Sequence, residues 1–185
     1  MLCTKAKVEQ EQIVEMVWVG SFESLQSVLR RPRFVDAPLK IQTWVPTKLD
    51  LISPLADWLM NLITAARCVQ RNEDFVELAL REALSNAMIH GNRLEASKLV
   101  HVHCCCDCTG VSVIVSDQGQ GFDPSRLPDP LAVENLSAEH GRGIHLMKLA
   151  MDEVSFERGG AVVHMRRKRD RERRSCASAL RVMTP

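Results

Sequence analysis

The sequence predicts an α+β fold in which one mixed β-sheet is covered by helices on one face. Two observations carry this. Apolar residues at helical spacing bunch in the first half of the chain. Stretches with strand alternation, joined by tight turns, bunch in the second.

Residues 1–36 read as an N-terminal helical extension. Ile13, Met16 and Val17, then Phe22, Leu25, Val28 and Leu29, suggest two short amphipathic helices, the second ended by Pro32. In LKIQTWVPT, Leu39, Ile41, Thr43 and Val45 alternate with Lys40, Gln42 and Trp44, which predicts a strand. Ser53 and Pro54 suit the cap and first residue of a helix. Its stripe of Leu55, Leu59, Leu62, Ile63 and Ala66 runs to about Val69. Asn72 caps the next helix, and Glu73 and Asp74 suit its positive end. That helix is expected to run to His90, with Gly91 as its stop.

A hairpin follows, Leu99 to Cys106 and Val111 to Ser116 about the turn Asp107–Gly110. Another helix is expected from about Arg142 to Ala150. The last hairpin joins Val154–Arg158 to Ala161–Met165 through Gly159 and Gly160. The division is thus an extension over 1–36, a domain over 37–166 and a basic tail over 167–185.

At 185 residues the chain suits one domain with extensions. No apolar run approaches the ~18 residues of a membrane span. Glu15 interrupts IVEMVWV and no small-residue cleavage site follows, so no signal peptide is expected. This favours the cytoplasm, where the seven cysteines would stay reduced. The net charge of +1 is uneven, because RRKRDRERR (Arg166 to Arg174) carries +5 and leaves −4 elsewhere. A solvated tail is the plain reading of that run, with nucleic acid or an acidic partner as its rival. One short run in a near-neutral chain is weak evidence for nucleic-acid binding, and no direct nucleic-acid partner is expected.

Three stretches carry candidate chemistry. In EALSNAMIHGN, the core face of the helix centres on Val76, Leu80, Ala83 and Ala87. Glu82, Asn86 and His90 then form a polar row along one edge, beside the small residues Ala79 and Ala83. Such a row suits a ligand lying over the helix, or it simply reaches solvent. In SDQGQGF, Asp117 ends an apolar strand, and Gly119 and Gly121 let the backbone turn tightly and approach a ligand. A carboxylate there can accept a hydrogen bond from an exocyclic amine such as that of adenine; a plain turn is the alternative. In HGRGIHLMKLA, Gly141 and Gly143 precede a helix whose free N–H groups favour anions, and Arg142 adds a charge suited to phosphate. The alternative is an ordinary helix start. Asp123 to Glu139, with three prolines, is long enough to suggest a lid.

HVHCCCDC (His101 to Cys108) invites a metal reading. Strand alternation argues against it, since His101, His103 and Cys105 would face one way and Val102, Cys104 and Cys106 the other. Packing of small apolar thiols is the favoured reading, with redox sensing and metal binding behind it. Only Cys108, in the turn, is expected to be exposed enough to oxidise.

In this order, the E-x-x-x-N-A-x-x-H-G helix, the D-x-G-x-G loop and the G-x-G helix start resemble the ATP-binding boxes of the GHKL superfamily, which includes histidine kinases and gyrase-type topoisomerases. The resemblance covers roughly Leu39 to Met165. It implies a Bergerat-type ATP-binding sandwich with ATP and Mg2+ as cofactors. The first histidine of the sequence is His90, inside the motif, so a phosphoacceptor helix ahead of the domain is not expected. EALSNAMIHGN looks closest to the stand-alone anti-sigma-factor serine/threonine kinases, which bind a sigma factor and phosphorylate a serine on an anti-anti-sigma (STAS) protein.

By that resemblance, Asn86 would ligate Mg2+ and Glu82 would be the base. Asp117 would bind the adenine amine. Gly119, Gly121, Gly141 and Gly143 would let the backbone wrap the nucleotide, and Arg142 would reach the γ-phosphate. His90 would orient the helix end or touch the nucleotide. A homodimer is expected from the resemblance and from the apolar residues of the extension. The alternative function is an ATP-binding partner-switching module without transfer. The lid shows no Thr-containing phosphate clamp, which departs from the pattern.

Overall fold

The computed structural model describes residues 3–7, 12–17, 39–69, 73–121 and 142–169. The second amphipathic segment of the extension, Asn72, Gly141, the expected lid and the basic run beyond Arg169 lie outside these residues.

A single sheet contains strands β1 (Cys3–Lys7), β2 (Gln12–Val17), β3 (Leu39–Pro46), β4 (Leu99–Asp107), β5 (Gly110–Ser116), β6 (Glu153–Glu157) and β7 (Val162–Lys168), in the order β1-β2-β3-β4-β5-β7-β6. β2 and β3 are parallel and the other neighbours antiparallel, so the sheet is mixed. Helices α1 (Ile52–Ala66), α2 (Glu73–Ser85) and α3 (Arg142–Ala150) cover one face. The expected α+β sandwich is the fold.

The alternation of β3 emerges as predicted: Leu39, Ile41, Thr43 and Val45 are buried and their neighbours half-buried. Strands β4, β5 and β7 turn Val100, Val102, Cys104, Val113, Val115 and Met165 the same way. There they meet Leu55, Leu59 and Ile63 of α1, Val76, Leu80 and Leu84 of α2, and Met147 of α3 in one core. Arg81 ties the two long helices together, reaching Glu77 on its own helix at 2.7 Å and Asp57 on α1 at 2.5 Å.

Several boundaries differ from expectation. Residues 12–17 form a strand, not a helix: QIVEMV is rich in β-branched residues, and pairing with β3 satisfies its backbone. α1 begins at Ile52 behind a 3-10 turn (Leu49–Leu51), so Ser53 sits inside its first turn and makes no cap. Arg67, left-handed at φ 53°, ends it at Ala66. β7 extends to Lys168, past the expected domain boundary at 166. Arg166, Arg167 and Lys168 pair with Ser112, Val111 and Gly110, so the basic run starts inside the sheet.

The cysteine-rich strand alternates as its pattern predicts. Cys104 and Cys106 lie in the core, while His101, His103 and Cys105 face the other side. Cys68, just past α1, is buried beside them. Its thiol is pushed up by its contact with the Cys106 thiol and by burial, and Cys106 likewise by Cys104. These sulfurs therefore stay protonated and pack as apolar groups. Cys108 is exposed in the turn. No helix among the described residues is long and apolar enough to cross a membrane.

On the opposite face His101 stacks on Trp44, with ring centroids 4.4 Å apart. Burial lowers the pKa of His101, helped by the charge of His103; burial and Lys40 lower that of His103. Each unfolded imidazole therefore takes up its proton at higher pH than the folded one. Stability is full above the ordinary value of 6.5 and falls as pH drops through the window below it. His101→Phe keeps the stack and removes one titration, so it is expected to flatten that acid loss. Urea midpoints at pH 7.5 and 5.5 measure it; an unchanged slope would acquit His101.

Candidate functional site

The site is built where α2 ends. After Ser85 the helix widens into a π turn over Asn86–Gly91. The Asn92 N–H donates to the Ala87 carbonyl, five residues back, at 2.8 Å. Arg93 and Leu94, both at positive φ, then end the helix. The expected continuous α-helix to His90 is thus replaced by a wider turn, which carries Gly91 and Asn92 inward against the ends of the strands.

Gly91 meets Asp117 there. A Cβ on Gly91 would overlap the Asp117 carboxylate, and one on Gly119 would overlap the Gly91 carbonyl. Helix end and loop therefore interlock glycine against glycine. Asp117 follows β5 and is 7% exposed. Its N–H donates to Ala161 O at 3.0 Å, and its Oδ1 accepts from Gly119 N at 2.8 Å. Burial pushes the carboxyl up, opposed by that hydrogen bond and by the charges of Arg158 and Lys98. A buried carboxylate with capacity left over is suited to accept a ligand's N–H.

A cavity of about 320 Å3 opens between α2, α3 and the sheet. Asn86, His90, Gly91, Asp117, Gly121 and Gly143 line it. Ala83, Ala87, Val115, Ile144, Met147, Phe156 and Val163 supply apolar walls. Small-molecule sites have this size and character, mostly apolar with a few fixed polar groups. Gly121, at φ 75°, passes so close to the turn between β6 and β7 that a Cβ would overlap the Gly159 carbonyl.

Of the residues singled out from the sequence, Asn86, His90, Asp117, Gly121 and Gly143 converge on the cavity. Gly119 supports it through Gly91. Arg142 is the exposed first residue of α3. Glu82 stands outside the lining, against Gly143, where an added Cβ would overlap its Oε2 and sit 3.5 Å from Asn86 Nδ2. The space over the helix lies above Ala83 and Ala87, because Ala79 is wholly buried in the core.

The sequence pattern marks Gly91 only as a helix stop and gives Asn92 no role. The one available signal was a second amide directly after the glycine. The Gly143 contact is testable. Since the overlapping atom is the mobile end of a glutamate, Gly143→Ala is expected to fold normally, displace that carboxylate and slow any reaction that uses it several-fold. Thermal unfolding and turnover measured together separate the two effects.

A helix-covered open sheet with a carboxylate-floored cavity approached by backbone at glycines is compatible with the ATP-binding domain that the sequence motifs resemble. The model of one family, the histidine kinase-like ATPase domain, matches residues 45–167, and the chain belongs to that family. ATP-dependent kinase or ATPase chemistry goes with it. No curated protein matches the chain.

Proposed function

We propose that the protein is a serine/threonine kinase acting as a bacterial anti-sigma factor in the cytoplasm. It would bind a sigma factor and phosphorylate a serine on an anti-anti-sigma (STAS) partner. The observation that carries the kinase reading is the meeting of Glu82 and Asn86 at Gly143, beside the start of α3. Adenine would enter the apolar cavity and give its amine to Asp117. The phosphates would then run toward the N-terminus of α3, whose dipole and Arg142 favour anions.

Mg2+ would supply charge compensation on the phosphates. Asn86 fits as its protein ligand, since a side-chain amide on the cavity wall offers an oxygen and magnesium keeps most of its waters. Glu82, against Gly143 and outside the cavity lining, would take the proton of an incoming serine. His90, on the cavity wall, would orient the helix end or touch the nucleotide. A homodimer completes the reading, and light scattering at micromolar concentration checks it against the 20.8 kDa of one chain.

One observation favours a second reading, an ATP-holding module that switches partners without transfer: Glu82 does not line the cavity. Transfer of label from γ-labelled ATP to a STAS protein of the same organism, beside a pull-down, decides between them. Binding of both ATP and partner with no labelled serine would leave the module.

A further inference from the structure

Asn92 is fully buried, yet it is an amide with four hydrogen-bonding capacities. Its Nδ2 donates to Thr47 Oγ1 at 2.8 Å and to the Leu99 carbonyl at 3.1 Å. Its Oδ1 accepts from the Gln118 N–H at 2.8 Å. Its own N–H closes the π turn on Ala87, and its carbonyl accepts from Glu95 N at 3.1 Å. One side chain thus joins the turn bearing Asn86, His90 and Gly91, the end of β3, the start of β4 and the peptide that follows Asp117.

The far side of this knot is itself braced. Thr47 Oγ1 donates to the Lys98 carbonyl at 2.8 Å, and Gln118 Oε1 accepts from Leu99 N at 2.7 Å. Nothing here touches the cavity: neither Asn92 nor Thr47 nor Gln118 lines it. What the knot fixes is the position of Asp117. Its N–H is tied to Ala161, and the next amide along the chain is tied to Asn92. Gly91 meanwhile packs directly on its carboxylate.

We infer that Asn92 is a positioning residue for base recognition. It locks the loop of Asp117 to the end of the helix that bears Asn86, so that the carboxylate meets an exocyclic amine at a fixed place. The inference rests on the adenine reading of Asp117. It assigns the discrimination between adenine and a base with a carbonyl at that position to an amide that never touches the ligand. A side chain outside the cavity that held the fold alone would weaken all nucleotides equally. One that aims Asp117 would weaken only those whose amine Asp117 reads.

The test is calorimetry of the full chain with Mg·ATP and Mg·ITP, which carries a carbonyl in place of the adenine amine. Wild type is expected to prefer ATP. Asn92→Ala is expected to lose about tenfold or more in ATP affinity, the scale of one hydrogen bond to a charged group. Its ITP affinity should stay within about twofold, so the preference collapses. Thr47→Val, which removes the acceptor behind Asn92, should move the ratio the same way by less, and Thr47→Ser should restore it. If Asn92→Ala does not fold, the ratio in Thr47→Val decides. Equal losses for ATP and ITP, or an unchanged ratio in folded variants, would overturn the inference alone. A wild type that binds ATP and ITP equally would remove the adenine reading of Asp117, and the inference with it.

Discussion

Glu82→Gln is expected to bind ATP as the wild type does and to transfer phosphate about 10²–10⁴-fold more slowly, the usual scale of general-base catalysis. The binding half follows from where Glu82 stands. It lies outside the cavity lining, so a neutral isostere there removes nothing that would hold the base or sugar. The transfer half follows from chemistry: an amide of the same size keeps its place against Gly143 but cannot take a proton. Asn86→Ala should behave differently, weakening both Mg·ATP binding and transfer, because Asn86 is on the wall itself. Single-turnover transfer to the STAS protein at saturating ATP measures the first variant, and titration calorimetry the second. A Glu82→Gln enzyme running at the wild-type rate would leave the kinase reading standing and strip Glu82 of the base role.

The central sheet was legible because burial there has a period of two. The alternation of Leu39 to Val45 and of Val100 to Cys106 appears in the structure residue by residue. The hairpin turns were legible from their glycines and Asp107, whose carboxylate accepts from Thr109 N at 2.7 Å. Residues 12–17 are ambiguous in sequence because Ile13, Met16 and Val17 satisfy helical spacing as well as a short strand does; pairing with β3, a long-range contact, makes them a strand.

The site was legible as residue types but not as geometry. Spacing of four placed Glu82, Asn86 and His90 on one line, yet the π turn starts at Asn86 and bends that line. A hydrogen bond from Asn92 to Ala87 rather than to Met88 leaves no mark in residue periodicity. Asn92 was invisible for a related reason. Its partners Thr47, Leu99 and Gln118 are separated from it by 45, 7 and 26 positions and are brought together only by the sheet.

Asp117→Asn is expected to lower ATP affinity about 10–100-fold and, without nucleotide, to raise the melting temperature. The first effect is the loss of a charged acceptor for a buried N–H, on the scale of a charge-assisted hydrogen bond. The second comes from the free protein. Burial holds the Asp117 carboxyl above its ordinary value of 3.8, despite the Gly119 N–H and the charges of Arg158 and Lys98. For an acid with a raised folded pKa, the folded state binds more protons than the unfolded state in the window between the two values. The penalty is absent below the ordinary value, grows as pH rises to the folded value and is complete above it. Above the raised value the wild type therefore carries the cost of an ionised, buried group. Asparagine keeps the shape and can still accept from Gly119, without the charge. For a chain of this size each kcal/mol released raises Tm by about 2–4 °C. The gap between variant and wild type should close as pH falls through the raised value toward 3.8. Scanning calorimetry of both proteins without nucleotide, from pH 7 down to 4, measures it beside the ATP titration. A variant that loses affinity and stability together would show that the carboxylate holds the apo fold in place, and its placement in the cavity would then need no ligand to explain it.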